Sequence, residues 1–390
     1  VWNLLLNYTL LAVPLFIIMG LVLERSGIAE RLYDVLYLWL GRVRGGLGIV
    51  TIVVGTVLAA TVGTISASVT MLALVGLPSM LKRGYDKGIA TGAICAGGCL
   101  GILIPPSVML VLYGPMAQIS VGKLFFGAFM PGFLLSFLYI LYITIRAALE
   151  PQIGPPIPPE ETQVSFMKKT RMLMTALVPP VLLVMAVLGT IFFGVAPPTE
   201  AASVGAFAAV LLTLAYRKFS WKVLRECTLF TMSTSAFIFL MATMSFAFTG
   251  VFIGVGGDDV VKGLILATPG GKWGAFFIVM LLIFILGFFL DWIGIVFIMV
   301  PIITPISAAY GFDPVWFAIM VCVNLQTAFM TPPFAPAIFL VKGAADPSLG
   351  VTMADIIRGV IPFVFLILVG IALCVAFPEI ILWLPQKMIK

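Results

Sequence analysis

The sequence predicts an all-α, polytopic membrane protein whose two halves are related to each other. Apolar residues make up 62% of the 390 residues and charged residues only 10%, whereas a soluble domain needs roughly 25% charged residues. Apolar stretches long enough to cross a bilayer, about 20 residues, recur along the chain. Prolines and turn residues then repeat at matched offsets in the two halves.

Composition excludes several other classes of protein. The net charge is +6, yet Lys and Arg occur singly or in pairs between apolar runs, so no basic face for nucleic acid can be drawn. The N-terminus does not resemble a signal peptide, because the apolar pattern continues along the whole chain. There is no His, the commonest general base and metal ligand, and the 5 Cys form no CxxC pair. We therefore expect neither an enzyme nor a protein with a cofactor.

One aqueous segment, residues 150–171, divides the chain. It contains PQIGPPIPPEETQVSFMKKTR, whose prolines favour an extended, non-helical linker and whose charges exclude it from lipid. The predicted organisation is a first repeat at 1–149, this Pro-rich linker, connecting scaffold helices at 172–225 and a second repeat at 226–390.

The repeat rests on turn residues and prolines in the same order and at the same distances. In each half an Asp precedes a Pro-Pro pair by 19 residues, and a polar residue precedes a helix proline by 10. Such internal repeats are how many transporters are built. The matched pairs are Asp86 with Pro105, Asp313 with Pro332, Ser68 with Pro78, and Asp291 with Pro301.

Loop charges predict how the two halves are oriented. The first matched region, about 46–81, has two basic residues just beyond each end, whereas the second, about 273–308, has only Lys272 and the nearly uncharged SAAYGFD. Because cytoplasmic loops carry an excess of Lys and Arg, the first region should open to the cytoplasm and the second to the outside. The repeat is therefore predicted to be inverted.

Both matched regions are predicted to be re-entrant hairpins with polar tips. Each is 36 residues long, too long for one ordinary span and short for two. The first tip carries Thr64, Ser66 and Ser68, and the second carries Asp291 in an otherwise apolar run. Hydroxyls and a carboxylate at mid-membrane suit a hard cation such as Na⁺. The alternative is ordinary structural hydrogen bonding, since Ser and Thr in membrane helices often bond the preceding turn.

Two Pro-Pro pairs predict broken helices at about 88–116 and 314–341. The strings are LGILIPPS (100–107) and TAFMTPPF (327–334). Proline lacks the N–H that a helix needs, so each pair frees carbonyl groups of the preceding residues. Those carbonyls could complete a cation shell facing each hairpin tip; the alternative is a proline kink without a ligand.

These motifs together resemble one family, the large membrane (M or DctM-type) subunit of tripartite ATP-independent periplasmic (TRAP) transporters. The strings that carry the resemblance cover nearly the whole chain in order: VPLFIIMG, SGIAERL, KRGYDKG, LGILIPPS, PPTEAASVGAF (197–207), FFLD, GFDPVWF and MTPP. PPTEAA is the most specific of them. Physical reasoning also gives this string a structural role, with Thr199 as a helix N-cap and Glu200 in the first turn.

The resemblance implies an elevator-type importer in the bacterial inner membrane that couples Na⁺ to uptake of a small organic acid. In such an importer, the hairpins and broken helices form a transport domain held by a scaffold of long helices in membrane lipid. It also implies a small membrane subunit (Q type), a periplasmic substrate-binding protein (P type), and one further N-terminal helix before VWNLLLNYTL.

The resemblance also implies where the ligands bind. The first Na⁺ site would use the tip and the first helix break, and the second would use Asp291 and the second break, with the substrate between the tips. The first site maps onto Ser66, Ser68, Gly101, Ile104 and Pro106, beside Thr64. The second maps onto Asp291, Thr327, Thr331 and Pro333, and the substrate region onto Ser107, Gln326 and Pro332.

Several alternatives remain open from the sequence. TAFMTPPFAP departs from the family's usual IGLITPPVG close to the substrate, so no particular acid is implied. A symporter for organic anions, coupled to Na⁺ or H⁺ and independent of a binding protein, would share the hairpins. H⁺ coupling through Asp291 is also conceivable. Na⁺ is favoured because the equivalent place in the first half offers only Ser66 and Ser68.

Overall fold

The computed structural model describes residues 7–158, 164–266 and 268–388, and this part of the chain is all-helical, without a strand. This confirms the predicted all-α class. The α-helices, numbered in chain order, are α1 Ala12–Arg25, α2 Ile28–Leu40, α3 Gly46–Val62, α4 Ile65–Leu81, α5 Lys87–Cys99, α6 Val108–Ala117, α7 Val121–Leu149, α8 Phe166–Phe192, α9 Pro198–Ala215, α10 Trp221–Gly254, α11 Gly257–Leu266, α12 Gly271–Leu286, α13 Trp292–Ala309, α14 Pro314–Ala328, α15 Pro336–Ala344, α16 Met353–Ala376 and α17 Glu379–Leu382.

The described residues contain 7 helical segments long and apolar enough to cross a membrane. They are Tyr8–Arg25, Val121–Leu149, Phe166–Phe192, Pro198–Ala215, Trp221–Gly254, Trp292–Ala309 and Met353–Ala376. The longest, α10, has 34 residues, which at about 1.5 Å per residue is roughly 50 Å and exceeds the bilayer core. The protein is therefore a multi-pass membrane protein, as the composition predicts.

The predicted linker ends earlier than expected. Helix α8 begins at Phe166, so the last residues of the predicted non-helical segment 150–171 are helical; residues 159–163 lie outside the described part. Lys169, in the first turns of α8, donates to the Leu38 carbonyl at 2.8 Å. Charge keeps a segment out of lipid but does not prevent a helix from extending into water, and this explains the error.

The predicted start of the second repeat does not coincide with the start of a helix. Residue 226 falls inside α10, which begins at Trp221. The Ser220 hydroxyl caps this helix by accepting the Val223 N–H at 3.2 Å. Residues 221–226, which include Lys222, Arg225 and Glu226, are the first turns of this membrane helix, and hydropathy alone placed them in the preceding segment.

The PPTEAA string begins a helix, but its cap differs from the prediction. Pro197 occupies the N-cap position of α9 and Pro198 the first position, while Glu200 lies in the first turn as expected. The Thr199 hydroxyl is buried and has no hydrogen-bond partner. Proline at the first position fits because the missing N–H has no partner inside the helix. The predicted Thr199 cap is therefore wrong: the two prolines shift the start of the helix back by two residues.

The loops gather at two faces of the molecule. At one face, the Asp86 N–H donates to the Ile153 carbonyl at 3.0 Å and the Gly45 N–H to the Gly154 carbonyl at 2.8 Å, and Lys87 Nζ bonds the Gly350 carbonyl at 2.6 Å. We call this the basic face, because its loops and the adjoining helix ends carry most of the Lys and Arg. It comprises loops 26–27, 41–45, 82–86, 150–158, 216–220 and 345–352.

The opposite face is formed by loops 118–120, 193–197, 310–313 and 383–388. Lys272 Nζ donates to the Gly311 carbonyl there at 3.1 Å. The two matched regions of the sequence therefore start from different faces. The pair α3–α4 starts at the basic face and returns to it, whereas the pair α12–α13 starts at the opposite face and returns there.

The two helix pairs have equivalent surroundings. Each is followed by a broken helix: α5 and α6 are separated at 100–107, and α14 and α15 at 329–335. Helix α4 packs against α15, and α13 packs against α6. The matched aspartates have the same role, because Asp86 caps α5 by accepting the Ile89 N–H and Asp313 caps α14 by accepting the Val315 and Trp316 N–H groups.

The two halves are joined by close contact between α5 and α16. A Cβ atom added to Gly92 would lie 2.2 Å from the Gly359 carbonyl oxygen, and one added to Gly359 would lie 2.2 Å from the Gly88 carbonyl oxygen. Only glycine allows the two backbones to approach this closely, a common device in membrane helix packing. We call this contact the glycine seam (Gly88, Gly92 and Gly359).

Substitution in the glycine seam should destabilise the fold. We expect Gly359→Ala to lower the free energy of unfolding by about 1–3 kcal/mol, the usual cost of overpacking. Gly343→Ala is the matched control, because no atom lies within 4 Å of the added methyl group. Thermal unfolding in detergent measures both; equal melting temperatures for the two variants would contradict the packing argument.

Candidate functional site

A cavity of about 290 Å³ lies where the two helix pairs turn. The first pair contributes Thr64 and Ser66, and the second contributes Asp291. The remaining walls come from α1, α10, the helix breaks and the helices that follow them, α6 and α15: Ile17, Phe230, Thr234, Phe237, Ile238, Ile102, Val108, Phe329, Pro336 and Leu340. The structure thus brings together the two polar tips, although Thr64 and Asp291 are 227 residues apart in the sequence.

Both turns end at a helix N-terminus in the wall of this cavity. Gly63 adopts the left-handed conformation, with φ 66°, and Thr64 is the N-cap of α4. Asp291 is the N-cap of α13, and its carboxylate accepts the Ile293 N–H at 3.5 Å. The first N–H groups of a helix lack intrahelical partners and carry the positive end of its dipole. The two ends would favour an anion in the cavity when a cation offsets the Asp291 carboxylate that already caps α13.

The first tip and the first helix break are in direct contact. A Cβ atom on Gly101 would lie 3.3 Å from the Ser68 Oγ and 3.4 Å from the Thr64 carbonyl oxygen. Likewise a Cβ atom on Gly63 would lie 3.1 Å from the Pro106 carbonyl oxygen. The Thr64 and Ser68 hydroxyls are buried and have no hydrogen-bond partner. The Thr64 carbonyl accepts the Ser68 N–H at 3.4 Å. Hydroxyl and carbonyl oxygens are the ligands that a hard monovalent cation takes.

The other predicted members of this cluster differ in accessibility. Ile104 is fully buried in the break, and its N–H donates to the Leu100 carbonyl at 3.0 Å. Ser107 is also fully buried, and its hydroxyl donates to the Ile102 carbonyl. Ser66 is exposed and faces the cavity rather than the cluster around Ser68.

The second predicted cluster is less compact. The Thr327 hydroxyl donates to the Asn324 carbonyl at 2.7 Å and the Thr331 hydroxyl to the Thr327 carbonyl at 2.6 Å. Asp291 lines the cavity, but Thr327, Thr331 and Pro333 are not among its described walls. The turn nevertheless lies close to α14, because a Cβ atom on Gly287 would lie 2.5 Å from the Ala328 Cβ.

The two Pro-Pro pairs have different environments. Pro105 and Pro106 are buried, whereas Pro332 and Pro333 are exposed. Gln326, predicted near the substrate, is fully buried, and neither of its amide atoms has a hydrogen-bond partner in the protein. A buried amide without a partner costs about 1–3 kcal/mol, so Gln326 is a candidate for a ligand contact.

Sequence reasoning did not find the contribution of α10. Phe230 and Thr234 of this helix line the cavity. A signal was present, because small and polar residues recur every three or four positions along α10, the spacing of one helix face. The buried residues of this stripe are Cys227, Thr231, Ser235, Ile238, Ala242, Ser245 and Thr249.

Comparison with known proteins places the chain in one family. Residues 1–380 match the family model "Tripartite ATP-independent periplasmic transporter, DctM component". The chain is 29% identical, over 97% of its length and 87% of the relative's, to the C4-dicarboxylate TRAP transporter large permease protein DctM of Pseudomonas aeruginosa. It is 30% identical to the ectoine/5-hydroxyectoine TRAP transporter large permease protein UehC of Ruegeria pomeroyi, over 96% of this chain and 86% of the other.

A solved structure shares the fold. The chain superposes on the Alcanivorax borkumensis YdaH transporter with a TM-score of 0.54, covering 98% of this chain and 90% of that one at 15% sequence identity. At this identity the likeness concerns the fold alone.

The contact between Gly101 and the first tip predicts a cation-dependent effect. If Na⁺ binds there, the melting temperature should be higher in Na⁺ than in choline. The free energy of unfolding should rise by about 2.7 kcal/mol at an Na⁺ concentration of 100 times the Kd. Gly101→Ala should abolish this increase, because its methyl group would crowd the Ser68 and Thr64 oxygens. Gly189→Ala, where no atom lies within 4 Å of the added Cβ, should keep it; an unchanged Na⁺ effect in Gly101→Ala would argue against the site.

Proposed function

The chain belongs to the family of DctM components of tripartite ATP-independent periplasmic transporters, and we propose that it is the Na⁺-coupled path by which a small organic acid enters the cell. Proteins of this family are permeases of the bacterial inner membrane rather than enzymes, and they carry out secondary transport with a binding protein. The proposed partners are a small membrane subunit and a periplasmic protein that delivers the substrate.

The observation that carries the proposal is the meeting of two helix N-termini and two polar tips in one cavity. Thr64 and Asp291 each begin a helix in its wall. The positive helix ends would attract the carboxylate of an organic acid, while the oxygens around Ser68 would hold a cation beside it. Binding the two together would lower the electrostatic cost of each, which is the physical basis of symport.

Na⁺ fits this arrangement better than H⁺. The groups closest to the first helix break are the Ser68 hydroxyl and the Thr64 and Pro106 carbonyls. Neither hydroxyls nor carbonyls take up a proton near neutral pH, whereas all can coordinate a cation. Asp291 is the only carboxylate among the described cavity walls, and with Thr327, Thr331 and Pro333 it would form a second Na⁺ site.

We further propose an inverted repeat that works as an elevator. The two helix pairs begin at opposite faces, their tips meet, and each pair packs against the second arm of the other half's broken helix. Helices α3–α7 and α12–α16 would form the moving transport domain. Helices α1, α8, α9 and α10 would form the scaffold, in which α9 packs along α1 and α8.

The proposed orientation places the basic face in the cytoplasm, following the excess of Lys and Arg in cytoplasmic loops. Substrate would then arrive from the binding protein at the opposite face. A second candidate function is an organic-anion symporter that needs no binding protein. The fold shared with the YdaH transporter is consistent with this second function, because that likeness does not depend on a TRAP partner.

Uptake into proteoliposomes tests the proposed coupling. The vesicles would contain this subunit with its small partner, with the cognate binding protein outside and candidate organic acids offered under an inward Na⁺ or H⁺ gradient. We expect uptake only with both Na⁺ and the binding protein. Uptake driven by H⁺ alone would refute the Na⁺ sites, and uptake without the binding protein would favour the symporter.

Substitutions at the tips test the ion sites. We expect Ser68→Ala and Asp291→Asn each to raise the Na⁺ concentration for half-maximal uptake about tenfold or more, corresponding to about 1.4 kcal/mol of lost binding. Thr144→Ala is a matched control, since Thr144 is exposed on α7 and bonds the Ile140 carbonyl of its own helix. Equal Na⁺ dependence in all three variants would place the ion elsewhere.

A further inference from the structure

A second cavity leads from the first tip toward the basic face. It has a volume of about 630 Å³ and lies between α1, α4 and α10. Ser66 and Phe230 line both cavities, so the two adjoin each other at the tip. We call it the vestibule; its walls also include Thr70, Glu24, Arg25 and Glu226.

Two carboxylates line the vestibule, but their environments differ. Glu226, at the start of α10, lies 3.9 Å from Arg25, and its side chain is 45% exposed. Glu24 is partly buried, and its Oε2 is a buried oxygen without a hydrogen-bond partner. The guanidinium of the neighbouring Arg25 thus pairs with Glu226 across the vestibule, while Glu24 keeps an oxygen that no protein group satisfies.

The position of Glu24 makes an unpaired carboxylate costly. It lies in the last turn of α1, where the helix dipole is negative and repels an anion. A carboxylate oxygen removed from water also loses solvation that only a donor or a cation restores. Both effects favour a cation at this place.

Hydroxyl groups of α4 lie on the same path. Ser66 and Thr70 are four residues apart and therefore lie on one face of the helix, and both line the vestibule with Glu24. A polar track thus runs from the ion-binding tip to the carboxylate, along the side of the hairpin away from the buried Ser68.

We propose that Glu24, with the Thr70 and Ser66 hydroxyls, forms a release site for Na⁺ on its way from the hairpin tip to the cytoplasm. This inference rests on the proposed Na⁺-coupled transport and adds a residue of the scaffold to its ion pathway. The site attracts the cation out of the tip and is exposed to the Na⁺ concentration of the basic face alone.

The test measures inhibition of uptake by Na⁺ inside the vesicles. Because the binding protein is supplied only outside, the transporters that take up substrate have their basic face inward, and internal Na⁺ reaches Glu24 from the vestibule. In Glu24→Gln we expect the internal Na⁺ concentration for half-maximal inhibition to rise about tenfold. The external Na⁺ dependence of uptake should stay as in the wild type.

Glu226→Gln is the matched control, because it removes a negative charge from the same vestibule and keeps the Glu24 carboxylate. Since it also releases Arg25 from its ion pair, it should shift the internal Na⁺ dependence less than Glu24→Gln does, and Glu24→Asp, which keeps a carboxylate, should retain most of the inhibition. Since Glu24→Gln removes an unpaired charge and breaks no hydrogen bond of the buried Glu24 oxygen, this variant should unfold at or above the wild-type temperature in detergent.

The outcomes separate this proposal from the proposed function. Unchanged internal inhibition in Glu24→Gln, or an equal shift in Glu226→Gln, would overturn the release site while leaving Na⁺-driven uptake intact. A Glu24→Gln effect that appears only as a changed pH dependence would overturn it too, by making Glu24 a proton carrier. Wild-type protein without Na⁺-driven uptake would instead refute the proposed function itself.

Discussion

A helix interrupted inside a bilayer leaves backbone N–H and C=O groups where no water can reach them, and this constraint organises the molecule. The described chain has such interruptions at 63–64, 100–107, 287–291 and 329–335. The first two interruptions contact each other: Gly63 faces the Pro106 carbonyl, and Gly101 faces the Thr64 carbonyl. The polar groups that would destabilise an isolated break come together in pairs, at the place proposed to bind an ion and an acid. The long helices α1 and α10 close that place from the side.

Much of this arrangement could be predicted from the sequence, because it depends on residues with strong local effects. The Pro-Pro pairs at 105–106 and 332–333 lie in helix breaks as predicted, although the pair at 179–180 lies inside α8. Asp291 in an apolar run requires a polar neighbourhood. The boundaries of α8 and α9 could not be predicted in the same way. Lys169 stabilises the start of α8 through a contact with Leu38, and the prolines before Thr199 displace it from the cap. Both effects depend on neighbours that hydropathy does not describe.

The parts of the site missing from the prediction are those supplied by distant helices. Glu24 lies at the charged end of an apolar helix, where a carboxylate is unremarkable in sequence. Only the packing of α1 beside α4 and α10 places it under the tip. The two halves also differ more than their matched motifs suggest, since one Pro-Pro pair is buried and the other exposed. Repetition in a sequence predicts equivalent backbones, but the side of each element that meets lipid or scaffold is set by the rest of the chain.

The glycine seam has a consequence for how this protein can change over generations. At Gly359 the space that a side chain would fill is taken by the backbone of Gly88, and at Gly92 it is taken by the backbone of Gly359. A larger residue on one helix therefore cannot be offset by a smaller one on the other, because glycine is already the smallest. Protein cores usually change through compensatory pairs of substitutions, and this contact does not allow them. The two halves of the chain, which can diverge freely at their lipid-facing surfaces, remain tied to each other's backbone at these three positions.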